Sequence, residues 1–262
     1  MFGAIAGDII GSVHEFECQK STDFSLFVDE SSFTDDSVLT VAVADCLLNG
    51  ANYVDKFHEY THAYPNRGYG LGFRDWVICG RREPYKSWGN GSAMRVSPVA
   101  FAFDDLESVI QEARRSAEVT HNHPEGIRGA EATAAATFLA RKGSSKAEIR
   151  KIVESRFGYD LSRSADVIRK TYEFNESCQG TVPEAITAFL ESDDYESAIR
   201  LAISLGGDAD TLACITGGMA AAFYGGVPQH IADPAWALLD DGLRSIVSVF
   251  CTTYGIPLIP RQ

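Results

Sequence analysis

Residues 206–224 read GGDADTLACITGGMAAAFY, and this stretch decides the fold. From Thr211 to Tyr224 the side chains are apolar or small almost all round. A helix without a polar face is buried on every side, and small residues let neighbouring backbones come close. Residues 129–140, GAEATAAATFLA, have the same character. These two segments are predicted to form the centre of a helical bundle. Working outward, helical periodicity runs through 2–13, 36–49, 52–62, 70–79, 92–102, 105–119 and 124–141. It continues through 146–156, 163–174, 182–191, 194–205, 209–224 and 235–250. Ser145 with Glu148, Thr181 with Glu184 and Asp193 with Glu196 match capping boxes ahead of apolar-periodic stretches. Alternating β-branched runs with hairpin turns are nearly absent, so strands should be few. The expected fold is all-α, a compact multi-helix orthogonal bundle, with residues 1–262 as a single domain.

Thirty-six acidic against 23 basic residues leave a net charge of −13. Such a chain is a poor partner for a nucleic-acid backbone or an anionic membrane. An anionic substrate would need local positive potential from metals, backbone N–H groups or helix N-termini. The six cysteines, at 18, 46, 79, 178, 214 and 251, include no C-x-x-C pair, which points to free, mostly buried thiols in a reducing compartment. The N-terminal MFGAIAGDIIGSV lacks a basic n-region and carries Asp8 in its middle, so it reads as a core helix rather than a signal peptide. The apolar run from Thr211 to Val227 is short and Gly-rich, unlike a membrane span. A cytoplasmic monomer is expected.

Two acidic motifs open helices: Thr34-Asp35-Asp36 and Asp208-Ala209-Asp210-Thr211. Either one alone is explained by capping and by the helix macrodipole. Together they hold more acids than caps need, and the second leads into a helix that must be buried. Uncompensated carboxylates there are costly. If the two helix starts meet, four carboxylates and two threonine hydroxyls would share one small volume, and would either hold protons at raised pKa or bind hard cations. Oxygen ligands without histidine or cysteine favour Mg²⁺, with Mn²⁺ or Ca²⁺ also open.

These motifs, with Gly7-Asp8 upstream, resemble the signature of the ADP-ribosylglycohydrolase family. The segment Gly89-Asn90-Gly91-Ser92-Ala93-Met94-Arg95 is similar to the family's GNG-x-x-MR, and Thr120-His121 to its TH segment. The ordered set spans about residues 3–227. The resemblance implies an all-α domain with a binuclear magnesium centre that cleaves the glycosidic bond between ADP-ribose and an acceptor, on a protein or a small molecule. By position, Thr34, Asp35, Asp36, Asp208, Asp210 and Thr211 would ligate two Mg²⁺, with Mn²⁺ possible. Gly89, Asn90, Gly91, Ser92 and Met94 would cradle the diphosphate and distal ribose, and His121 would touch ADP-ribose. For Gly89-Asn90-Gly91 alone the plain reading is a tight turn before a helix.

Glu15, seven residues after Asp8, matches a mobile glutamate of the family that handles the attacking water; a solvated acid at a helix end is the other reading. Asp36 joins it as a catalytic candidate. Asp8 reads as a supporting partner for a ligand or as a polar surface residue. Trp76, Tyr85 and Trp88 could stack on adenine, although aromatics at such spacings more often belong to a core. Two alternatives stay open: a two-metal phosphohydrolase, and an inactive ADP-ribose-binding protein on the same scaffold. In arginine-directed relatives an aspartate lies three residues before the Asn of GNG. Here that position is Ser87, beside Lys86, so an oxygen-linked adduct is expected to be cleaved faster than an arginine adduct unless another acid, such as Glu83, reaches the same space.

Overall fold

A computed structural model describes residues 1–257, and among them it contains fifteen α-helices and no strand. The first five are α1 (Phe2–Gly11), α2 (Asp35–Asn49), α3 (Tyr53–Ala63), α4 (Leu71–Ile78) and α5 (Gly91–Met94). Then follow α6 (Val99–Ala102), α7 (Leu106–Glu118), α8 (Pro124–Arg141), α9 (Lys146–Phe157) and α10 (Ala165–Thr171). The last are α11 (Cys178–Glu191), α12 (Tyr195–Ser204), α13 (Ala209–Tyr224), α14 (Gln229–Leu238) and α15 (Asp241–Thr253). The fold is all-α.

The centre is α13, packed against α1, α8, α11 and α12. Both small-residue helices are buried as expected, α8 from Gly129 to Ala140 and α13 from Ala209 to Ala220. A third helix shares the centre: every residue of α1 is buried. Its glycines fall at 3, 7 and 11, one stripe along one helix face. A Cβ at Gly3 would overlap Ala221 and the Gly217 carbonyl, and one at Gly7 would overlap the Ala213 carbonyl. At Gly11 the same addition would run into the backbone of Asp210. The stripe lets α1 lie directly on the α13 backbone down to its first turn, and so delivers Asp8 to the acidic end of α13. It was not recognised from the sequence.

Several boundaries differ from expectation for local reasons. The segment expected as 92–102 is two short helices, because Pro98 disfavours helical geometry at the residue before it and cannot donate an N–H. The segment expected as 235–250 is also two helices: Asp240 accepts the Leu243 N–H and caps α15, while α14 starts at Gln229 and carries Pro234 inside it. Helix α11 begins at Cys178, not 182, because the Ser177 side chain caps it by accepting the Gly180 N–H. Pro183 is tolerated there since the carbonyl it leaves free belongs to exposed Gln179. Thr181 and Glu184 are therefore interior residues, and no capping box joins them. The box expected at Asp193–Glu196 lies one residue on, at Asp194–Ser197, whereas Ser145–Glu148 is a true box.

All six cysteines are free, four buried and two, Cys18 and Cys79, exposed. Among the described residues no helix is long and apolar enough to cross a membrane.

Candidate active site

The two acidic helix starts meet. Thr34 caps α2 by accepting the Asp36 N–H at 3.2 Å. The segment is then fixed from α1: buried Asp8 accepts from Thr34 N at 3.0 Å, Thr34 Oγ1 at 2.6 Å, Ser37 N at 3.1 Å and Ser37 Oγ. With both oxygens engaged, Asp8 acts as a support for the Thr34–Ser37 turn. On the other side, Asp35 N–H donates to Arg67 O at 2.7 Å, and the Arg67 guanidinium lies over Phe33 at 3.7 Å. Gly68, at φ 91°, passes close to the Asp35 carboxylate in a backbone conformation that suits glycine.

Helix α13 starts differently. Its N-cap residue Asp208 makes no side-chain cap bond, and its carboxylate accepts from Asn90 Nδ2 at 2.6 Å. Asn90 also donates to Thr181 Oγ1 at 3.1 Å. Thr211 Oγ1 donates to Asp36 Oδ1 at 3.4 Å and so ties α13 to α2. Carboxylate oxygens of Asp8, Asp36 and Asp210 lie within 4.8 Å of one another, as do those of Glu15, Asp208 and Asp210. Asp210 belongs to both groups, and Asp35 to neither.

The electrostatics of this cluster are unfavourable without a cation. Burial, then the charges of Asp8 and Asp35, pushes Asp36 well above the usual carboxylate range. Asp210 is driven the same way by burial, then by Asp208 and Asp36, and Asp35 by burial, then by Asp8 and Asp208. Burial raises Glu15 to about 7, with Asp208, Asp8 and Glu176 adding to the effect. Asp36 Oδ2 is buried and has no hydrogen-bond partner. A buried carboxylate oxygen left open beside three other acids is what a hard divalent cation fits.

A cavity of about 340 Å³ opens onto this cluster. Among the expected site residues, Glu15, Asp35, Asp36, Gly89, Asn90, Gly91, Met94, His121, Asp208, Asp210 and Thr211 line it. Thr34 and Ser92 do not. The Thr34 hydroxyl is given to Asp8, and Ser92 Oγ donates to Gly126 O at 2.6 Å. The Gly89–Gly91 segment is a pinned loop: Gly89 N–H donates to Ser87 Oγ and Asn90 N–H to Glu176 O. Gly91 and Ser92 N–H groups have no partner among the described residues.

His121 sits just beyond α7 with its Nε2 against Gly91, where a Cβ would come to 3.2 Å. Burial and then Arg95 hold its pKa well below the ordinary histidine value, so it is neutral. Arg95 Nη2 donates to Thr120 Oγ1 at 2.8 Å, and Thr120 Oγ1 is 2.7 Å from His121 Nδ1. The relay that uses the hydroxyl proton has Thr120 donating to Nδ1. That assigns the ring proton to Nε2, the nitrogen beside Gly91.

Sequence reasoning missed several wall residues: Gly68, Gly70, Leu71, Phe73, Arg95 and Glu176. Of the three aromatics, Tyr85 and Trp88 line the cavity, whereas Trp76 is fully buried and donates to Glu83 O at 2.9 Å.

Comparison with known proteins bears on the same arrangement. The family model described as ADP-ribosylglycohydrolase matches residues 1–250. The chain is 28% identical to "ADP-ribosylhydrolase ARH3" of Mus musculus, over 85% of this chain and 82% of that protein. It is 32% identical to "ADP-ribosylarginine hydrolase Tri1" of Pseudomonas putida (strain GB-1), over 90% of this chain and 73% of that one. A solved structure titled "ADP-ribosylglycohydrolase-related protein complex" shares the fold, with a TM-score of 0.69 and 22% identity, covering 97% of this chain and 96% of that one.

Proposed function

The chain belongs to the ADP-ribosylglycohydrolase family, and on that premise we propose that its acidic cavity is where it hydrolyses the glycosidic bond between ADP-ribose and an acceptor. The observation that carries the assignment is Asp36 Oδ2, a buried and unpartnered carboxylate oxygen at the meeting of α2 and α13. Two Mg²⁺ ions fit the oxygen-only donor set, with Mn²⁺ as the other candidate. Asp35, Asp36, Asp208, Asp210 and Thr211 would hold them, and Thr34 Oγ1, which keeps a lone pair beyond its bonds to Asp8 and Asp36, stays in the proposed set. When bound, such ions supply Lewis acidity toward ribose hydroxyls and the attacking oxygen. The free thiols are consistent with a cytoplasmic protein.

The chain's own residues supply the rest. Cleavage makes the anomeric carbon oxocarbenium-like and requires a proton on the departing acceptor. Glu15, near 7, can take a proton from water and return one near neutral pH. Asn90 fixes Asp208, and Asp8 fixes the Thr34–Ser37 turn, so the acidic walls are set before substrate arrives. Neutral His121 offers its Nε2–H to a substrate oxygen at the GNG loop. Tyr85 and Trp88 give the cavity two flat apolar surfaces.

The test is product identity with an ADP-ribosylated substrate and magnesium. Free ADP-ribose is expected. AMP or inorganic phosphate would mean phosphohydrolase chemistry, and intact ligand a binding protein. Glu15→Gln should lower kcat far more than it weakens ADP-ribose binding, and equal losses would make Glu15 a binding residue.

A further inference from the structure

Position 87 carries serine, yet the fold brings a carboxylate to the same end of the cavity from 89 residues further along the chain. Ser87 Oγ accepts the Gly89 N–H at 3.1 Å. Gly89 pairs with Ser177 in an isolated antiparallel bridge, and Asn90 N–H donates to Glu176 O at 2.7 Å. This pairing sets Glu176 on the cavity wall with Ser87 and Asn90. Lys86 and Glu83, which flank Ser87 in sequence, are exposed and do not line the cavity.

The segments that carry Glu15 and Glu176 also touch through neighbouring side chains. Phe16 stacks on Phe174 with ring centroids 6.0 Å apart and planes 24° from parallel. Both rings are exposed, Phe16 at 81% and Phe174 at 45%, so the contact joins two segments at the surface instead of filling a core. Glu15 and Glu176 thus line one cavity from two separate segments, and acidic side chains on a shared wall favour a cationic occupant. The lone cationic side chain on the cavity wall among the described residues, Arg95, is fully buried and donates to Ser116 O and Thr120 Oγ1. Exposed Glu176 therefore lines the cavity, and no cationic side chain among the described wall residues is free to pair with it. A planar guanidinium matches a carboxylate in both charge and fork geometry.

We propose that Glu176 is the acceptor-specificity residue of this site and binds the guanidinium of an arginine-type acceptor as it departs from ADP-ribose. The proposal rests on the glycohydrolase reading above. In the reaction it serves, the bond between the anomeric carbon and the guanidine nitrogen breaks, a water oxygen bonds to that carbon, and one water proton goes to the nitrogen. Glu176 touches the departing group and takes no proton.

The experiment compares kcat/KM for ADP-ribosyl-arginine and ADP-ribosyl-serine, in the full-length protein with magnesium, before and after Glu176→Gln. The arginine-to-serine ratio should fall about tenfold, chiefly through KM for the arginine adduct, as expected for loss of a charge-assisted bond at a partly solvated position. Glu176→Lys should lower the ratio further. Because Glu176 is exposed, thermal melting should be the same in all three proteins. An unchanged ratio in an active enzyme overturns the Glu176 assignment and leaves the hydrolase reading intact. A wild-type protein that frees ADP-ribose from neither adduct overturns both.

Discussion

Helices α9 and α13 both open with acidic residues, and in the two places the acids do opposite work. At α9, exposed Glu148 reaches back to accept from Ser145 N and Oγ, each at 2.8 Å, and these bonds lower its pKa. At α13, Asp208 is turned away to Asn90, and Asp210 accepts its neighbour's N–H, Thr211 N at 2.9 Å. Burial and the charges of Asp208 and Asp36 then drive Asp210 well above the ordinary range. The helix macrodipole favours acids at both starts, by about 0.3–1 kcal/mol at an exposed end. That suffices for Glu148 and is too small for several carboxylates sharing one buried volume. Acids at a helix N-terminus thus act as a cap when solvent and donors surround them, and form a costly cluster that a cation would relieve when other acids do.

The largest expected effect breaks the α13 side of this contrast. Asp210→Ala should lower turnover by more than the roughly 100-fold typical of losing a group that only supports a ligand, and Asp8→Asn by roughly 10–100-fold. In chelator, Asp210→Ala should melt at the same temperature as the parent protein or higher, because like-charge repulsion has been relieved. A drop of several degrees in the metal-free melt would make Asp210 a structural acid of the α9 kind.

Next in size is the pH dependence of the metal-free protein. Where folding raises a carboxylate pKa, the folded state keeps protons that the unfolded chain has released, so stability falls as pH rises. For Glu15 that window runs from its ordinary 4.5 to about 7. Metal-free melting temperature should therefore decline across this range. Glu148 has the opposite sign, contributing stability above its unfolded pKa that is lost as pH falls through its lowered folded value. Magnesium at 100 times its Kd should restore about 2.7 kcal/mol at neutral pH. A metal-free melting temperature that climbs steadily from pH 4.5 to 7 would remove the distinction between the two helix starts.

The smallest effect sharpens the α9 side. Ser145→Ala should cost about 1 kcal/mol of stability, the usual value for an N-cap, and leave kcat/KM unchanged. A loss of activity would mean that α9 is coupled to the site.

Local chemistry made much of this legible in advance. The all-α class and the buried character of α8 and α13 follow from side-chain type and periodicity, which a helix expresses without reference to its neighbours. So do the two acidic starts and the Ser145 box. The boundaries that differ turn on local residues too: Asp240, within the expected 235–250 helix, is a cap, and Pro183, near the start of the expected 182–191 helix, lies inside α11.

By itself, then, the sequence determined which helices must be buried and which two carry more acid than capping can use. Tertiary structure decided which of those acids meet and what surrounds them. The glycines of α1 admit the α13 backbone and so bring Asp8 to Asp36 and Asp210. The Gly89–Ser177 bridge brings Glu176 to Ser87, and Gly68 passes close to Asp35. Each of these meetings joins segments far apart in the chain. Their closeness arises from packing: the four-residue spacing of the α1 glycines leaves room for a backbone, and only the fold decides which backbone takes it.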